Sequence, residues 1–272
     1  MRRPNLPSRT ATTAAAVALV AMSTVLGTTT ASATAAGPAT AYVALGDSYS
    51  AGLGASSNYT DGACKRSTAS YPALYAAAAA PASFSFQACS GATTTDVINN
   101  QLGPLSPTTT LVSLTIGGND IGFVNVSKNC LLTSDTTCLN AVAAAENTAR
   151  TALPAQLDTL FTGIRTAAPN ARVVVLGYPE FYDLSRTGCL TWLNATKRAA
   201  ANHAVDVLDD VLETETAKHN GFVYQSVTGA FAGHQICDTT PWLNDPGLYQ
   251  GWFHPNAAGQ AGAYLPAFTS AL

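Results

Sequence analysis

The sequence predicts an α/β fold, a mostly parallel sheet covered by helices on both faces, and three observations predict it. Short apolar runs that read as buried strands alternate with helical patterns. Each helical pattern presents a single apolar stripe, as a helix packed on a sheet requires. Three polar, glycine-bearing segments follow strands at the ends where parallel sheets form a ligand crevice.

Residues 42–45 form the first apolar run, which ends at Gly46 and feeds a polar turn over 47–54. Further strands are expected at 84–88, 111–116, 173–176 and 222–225. Between them, Leu153, Leu157, Leu160, Phe161 and Ile164 recur at helical spacing, as do Ala200, Ala204, Val207, Leu208, Val211 and Leu212. The N-terminus reads differently. Arg2, Arg3 and Arg9 flank an alanine-rich apolar stretch over 14–27, followed by small residues and the A-x-A patterns Ala31-Ser32-Ala33 and Ala33-Thr34-Ala35. This is the pattern of an export signal. A membrane anchor needs about 20 apolar residues, and this core is shorter and broken by Ser23, Thr24 and Thr28. Residues 1–35 are therefore expected to be a secretion signal and 36–272 a single extracellular domain.

Charged residues make up 11% of the chain and the net charge is −3, so no basic stripe offers itself to nucleic acid and no polybasic patch to a membrane. A small-molecule or lipid-ester partner fits better, with the mature chain a monomer lacking an integral membrane segment. Six cysteines, Cys64, Cys89, Cys130, Cys138, Cys189 and Cys237, lie beyond the signal. In an oxidising compartment an even count implies disulfides, and sequence-neighbour pairing crosses no loops: Cys64 with Cys89, Cys130 with Cys138, Cys189 with Cys237. No C-x-x-C pair suggests zinc.

The three strand-end segments are Gly46-Asp47-Ser48-Tyr49, Cys89-Ser90-Gly91-Ala92 and Gly117-Gly118-Asn119-Asp120. Any one alone is ordinary turn chemistry; three at successive strand ends form a constellation. A serine hydroxyl needs a base during attack, and the resulting oxyanion needs positioned donors. Ser48 supplies the hydroxyl, and its own N–H, the Gly91 N–H and the Asn119 side-chain amide supply donors. Of four histidines, His203 and His219 belong in or just after a helix and His234 to a loop near Cys237. His254 precedes Pro255-Asn256 at a rigid loop-to-helix junction and is the expected base.

These residues resemble the GDSL or SGNH hydrolases, in particular secreted actinomycete esterases, lipases and phospholipases, over residues 41–272. The nucleophile block matches Gly46-Asp47-Ser48, the second-block glycine Gly91, the G-x-N-D block Gly117-Gly118-Asn119-Asp120 and the histidine block His254-Pro255. The resemblance implies a three-layer α/β/α sandwich with about five mostly parallel strands, flavodoxin-like, and the same roles: Ser48 nucleophile, His254 base, Ser48, Gly91 and Asn119 oxyanion donors. It also implies an esterase or lipase, with phospholipase A or polysaccharide acetylesterase chemistry on the same machinery as alternatives. A non-catalytic binding module is the reading from another class.

One departure stands out: the family pattern D-x-x-H has its acid three residues before the histidine, where this chain has Gly251. The backbone carbonyl of Gly251 is the first expectation for orienting His254, with Asp245 the alternative. Tyr249, Trp252 and Phe253 crowd this loop and are the acyl-pocket candidates. The α/β-hydrolase elbow G-x-S-x-G is absent around Ser48, as are P-loop and dinucleotide fingerprints, so neither an organic cofactor nor a metal is expected.

Overall fold

The computed structural model describes residues 40–272 apart from 57, 187–192 and 247–250. The expected secretion signal, Cys189 and Tyr249 lie outside the described residues. Five parallel strands form the main sheet: β1 (Ala41–Ala44), β4 (Ser83–Phe86), β5 (Leu111–Leu114), β6 (Arg172–Leu176) and β7 (Phe222–Gln225), in the order β4-β1-β5-β6-β7. Counted within the sheet alone this is 2-1-3-4-5, the flavodoxin-like doubly wound order, whose ligand crevice opens at the switch point beside the first strand. A small antiparallel pair, β2 (Tyr59–Asp61) and β3 (Arg66–Ser67), stands apart.

Burial separates central from edge strands. β5 is buried throughout and β1 and β6 nearly so, whereas edge strand β4 exposes Ser83 and Phe84, as strands covered on both faces and strands at a margin should. On one face, α2 (Tyr71–Ala79) and the C-terminal helix Leu265–Ser270 pack together over Tyr42, whose ring lies 5.5 Å from Phe268 and 5.3 Å from Tyr75. The other layer contains α3 (Thr94–Asn100), α4 (Phe123–Leu132), α5 (Asp135–Thr151), α6 (Leu153–Ala167) and α7 (Ala195–Thr216). The stripe foreseen in α6 is fully buried, at about 1.5–3 kcal/mol for each large apolar side chain. Ser134 caps α5 and Asn194 caps α7, each side chain accepting a first-turn N–H.

Disulfides join Cys64 to Cys89 and Cys130 to Cys138, as neighbour pairing anticipated. The first pins the β2–β3 hairpin region to the end of β4. The second ties α4 to α5. Among the described residues no helix is long and apolar enough to cross a membrane.

Candidate active site

The end of β1 runs into Gly46, whose φ of +116° few other residues adopt, and a Cβ there would lie 2.5 Å from the Thr115 carbonyl oxygen. This close approach lets the chain turn directly into α1 (Ser48–Ala51), with Asp47 as its N-cap. Ser48 is the first helical residue, so its N–H has no acceptor within the helix. Among the described residues it has no hydrogen-bond partner, and neither does the N–H of Gly91, held at φ +88°.

Asp47 is buried and accepts three hydrogen bonds, from Tyr49 N–H at 3.0 Å, from Thr115 Oγ1 at 2.6 Å and from the Tyr178 hydroxyl. Burial pushes its carboxyl up to about 6, against the opposing pull of these three donors. Hydroxyls continue the network inward: Ser50 Oγ lies 2.8 Å from Thr115 Oγ1 and 3.0 Å from the Tyr71 hydroxyl, which donates to Ser113 Oγ. The turn that carries Ser48 is thus held by side chains from the ends of β5 and β6 and from α2.

Ser48 Oγ and His254 Nε2 are 2.7 Å apart, and both residues are buried. His254 Nδ1 lies 2.7 Å from the Trp252 carbonyl oxygen. A carbonyl only accepts, so Nδ1 carries the hydrogen and Nε2 turns its lone pair toward Ser48. The orienting carbonyl therefore belongs to Trp252, one residue later than Gly251. The Gly251 carbonyl accepts the His254 backbone N–H at 3.0 Å instead, and adds a smaller pull favouring the imidazolium. The reason is local geometry: with Gly251 at φ +101° and Phe253 at φ +65°, the chain curls so that the carbonyl two residues back, rather than three, meets the ring. Phe253, without glycine's freedom, is locked in the left-handed region by its buried ring and by its N–H to Asn244 O at 2.9 Å. No hydrogen bond or ion pair joins Asp245 to His254 among the described residues; Asp245 is an exposed residue whose carboxyl is raised by partial desolvation.

Burial lowers the His254 imidazole to about 4, the Trp252 and Gly251 carbonyls only partly offsetting the cost of charging it. The loop is fixed from outside by Asn244, which donates through Nδ2 to Gly54 O and His254 O, and by the Tyr49 hydroxyl on Phe253 O at 2.9 Å. Tyr49 also places its ring 4.6 Å from that of His254.

Asn119 Nδ2 donates to the Ala92 carbonyl at 3.0 Å, which spends one of its two hydrogens and leaves the other for the site. Asp120 accepts from the N–H and hydroxyl of Thr94 at the start of α3. These contacts tie the end of β5 to the Gly91 segment, and the Gly46 segment joins them through Cys89 N–H to Gly46 O and Asp47 N–H to Thr115 O, each at 3.0 Å. The other histidines lie elsewhere: His203 against Glu146, His219 against Phe161 and Asp158, His234 stacked on Trp242. Among the described residues no cluster of His, Cys, Asp or Glu fits a metal ion.

An apolar pocket leads inward from Ser48 and Asn119, with a cavity volume of about 60 Å³ open to water-sized molecules. Ile121, Phe123 and Val126 line it on one side, Ala201, Ala204 and Leu208 of α7 on another. Of the three aromatic residues expected there, Phe253 lines it. Trp252 is 41% exposed and lies outside the lining, because the turn that aims its carbonyl inward throws its ring to solvent. Sequence reading missed Tyr178, Tyr49, Thr115 and Asn244. Tyr178 follows Gly177 at the end of β6, so the strand-end rule that found the other segments applies to it too; Asn244 left no comparable signal.

A serine–histidine pair backed by orphan N–H groups at the carboxyl ends of a flavodoxin-like sheet defines a class of hydrolases rather than of nucleotide or metal proteins. The model of the GDSL-like lipase/acylhydrolase family matches residues 44–261, and the chain belongs to that family. It is 47% identical to Lipase 1 of Streptomyces coelicolor over 260 residues, covering 93% of this chain and 94% of that one. It is 46% identical to a lipase of Streptomyces rimosus over 266 residues, covering 97% and 98%. Among solved structures, phospholipase A1 from Streptomyces albidoflavus matches with a TM-score of 0.83 at 47% identity, covering 86% of this chain and all of that one. An extracellular lipase from Streptomyces rimosus matches with the same TM-score at 48% identity and the same coverage. The protein is a carboxylic ester hydrolase with the three-layer fold of the SGNH hydrolases.

Proposed function

We propose that the protein is an exported lipase or phospholipase A that cleaves acyl esters through an acyl-Ser48 intermediate. The observation that carries this reading is the 2.7 Å contact between Ser48 Oγ and His254 Nε2 at the mouth of an apolar pocket. Ser48 Oγ attacks the ester carbonyl carbon as its proton passes to His254 Nε2. The carbonyl oxygen gains the negative charge and is met by Ser48 N–H, Gly91 N–H and Asn119 Nδ2. As the tetrahedral adduct collapses, the C–O bond to the alcohol breaks and the imidazolium returns its proton to the departing oxygen. Water then gives a proton to His254, attacks the acyl-serine carbon and releases the carboxylic acid and Ser48.

The imidazolium formed in each half-reaction is stabilised by the Trp252 carbonyl, a partial charge where the family usually has a carboxylate. The apolar lining favours a lipid acyl chain over an acetyl group, which needs no such pocket. Relatives named lipase and phospholipase A1 support the same substrate class. Two disulfides, the N-terminal signal pattern and a relative named as an extracellular lipase support export through residues 1–35, leaving 36–272 as the working domain.

Labelling with a fluorophosphonate ester tests the nucleophile directly. A single adduct on the peptide containing Ser48, lost in Ser48→Ala and slowed in His254→Ala, is the expected result. An adduct on another serine in active protein would assign the nucleophile elsewhere.

A further inference from the structure

Charging His254 is costly in this site, and no carboxylate lowers the cost. The imidazole is buried, no carboxylate reaches it by hydrogen bond or ion pair among the described residues, and the two groups that favour its proton are the backbone carbonyls of Trp252 and Gly251. A partial charge offsets less than a carboxylate does. One further group lies against the ring. Tyr49, the residue after the nucleophile, brings its ring centroid to 4.6 Å from that of His254, with 36° between the planes. At that distance and tilt the two rings lie face toward face, unlike the edge-on meeting of Tyr49 with Tyr178 at 82°.

We infer that the π-face of Tyr49 stabilises the imidazolium of His254 as the Ser48 proton arrives, taking part of the role that an aspartate fills elsewhere in the family. This rests on the reading of Ser48 and His254 as the reacting pair. The negative face of an aromatic ring attracts a cation within about 6 Å of its centroid and acts only weakly on a neutral imidazole. His254 is neutral at rest and charged in the transition state, so the attraction is gained where it speeds the reaction rather than where it tightens binding. Phe123, at 6.4 Å and 83°, lies beyond that reach. The Tyr49 ring is held in place: it is buried, it packs on Tyr178 at 4.9 Å, and its hydroxyl donates to the Phe253 carbonyl at 2.9 Å. Because Ser48 and Tyr49 are adjacent at the start of α1, one turn delivers both the hydroxyl that gives up the proton and the ring that faces its acceptor.

Tyr49→Phe and its mono-, di- and trifluorinated phenylalanine counterparts, introduced into the full-length chain, separate the ring's electrostatics from its shape, because fluorine drains the face while adding little volume. The step from tyrosine to phenylalanine measures the lost bond to Phe253, and the steps from phenylalanine to its trifluoro form measure the face. The kcat for dissolved p-nitrophenyl acetate is expected to fall with each fluorine, by about three- to thirtyfold over the series, with KM and melting temperature little changed. Level rates across the series overturn the inference. So does a fall in rate that tracks a fall in melting temperature, which would assign Tyr49 to packing. Ser48→Ala is run beside them: hydrolysis that survives it removes the serine–histidine reading, whereas a level series in a chain whose hydrolysis needs Ser48 removes the ring's role alone. The same series in the Ser48→Ala background is followed by imidazole NMR, which reads the proton affinity of His254 without turnover. Asp47, Asp209, Tyr178 and Tyr264, the titrating groups around Tyr49, are common to every member. A stepwise weakening of that affinity supports the inference, and an unchanged affinity overturns it.

Discussion

Ser48 Oγ and His254 Nε2 meet at 2.7 Å although they stand 206 positions apart in the chain, and contacts from both ends of it hold them there. Ser48 is fixed by the Asp47 cap and the hydroxyl network beneath it. His254 is fixed by Asn244, Tyr49 and the Trp252 carbonyl. The pair is a property of the whole fold rather than of either loop.

Because a backbone carbonyl orients His254, removing the nearest upstream carboxylate should matter little. Asp245→Asn is expected to keep kcat/KM within about threefold of the parent. A loss of several orders of magnitude in the folded variant would transfer the orienting role to Asp245. Steady-state kinetics on a soluble ester decides this.

The pH dependence follows from the burial of His254. Its folded value near 4 lies below the ordinary 6.5, so the native state sheds this proton before the unfolded chain does. The linked stability is fully present above about 6.5 and lost as pH falls through about 4. The same shift keeps the base unprotonated, so the limb of kcat/KM that belongs to His254 is expected near pH 4, below any limb from Asp47 near 6. A limb centred near 6.5 that belongs to His254 would contradict the desolvated site.

In the proposed mechanism Asn119→Ala removes one of the three oxyanion donors. The expected effect is a fall of about 10²–10³ in kcat with KM little changed. An equal rise in KM with kcat preserved would make Asn119 a binding group only.

Small side chains from α7, among them Ala201 and Ala204, line part of the pocket. Ala204→Phe fills that space and should move the preferred acyl chain to shorter lengths, with hydrolysis of the acetyl ester retained. An unchanged preference across a series of p-nitrophenyl esters would place the acyl chain elsewhere.

Much of this was legible in the chain itself. The five strands and the stripe of α6 follow from apolar runs and helical spacing; Ser48, Gly91 and Asn119 are candidates from polar residues at strand ends and His254 from its loop-to-helix junction, and Ser48 and His254 lie 2.7 Å apart. The orienting carbonyl was harder, since one residue of register depends on Phe253 adopting φ +65°, a conformation that only packing imposes on phenylalanine. Of the acyl-pocket candidates, Phe253 lines the pocket and Trp252 stands outside it for a related reason. Proximity to His254 pointed to Trp252, but which way a ring faces in a tight turn is settled by the carbonyl it must aim. Ala201 and Ala204 line the pocket through a helix whose stripe reads equally well as packing.

Hydrolysis of a p-nitrophenyl ester panel by the purified protein beside Ser48→Ala tests the central claim most directly. The account predicts turnover by the parent, with longer acyl chains accepted, and a loss of at least about 10⁴-fold in the folded variant. Equal hydrolysis by the two proteins would show that Ser48 is not the nucleophile.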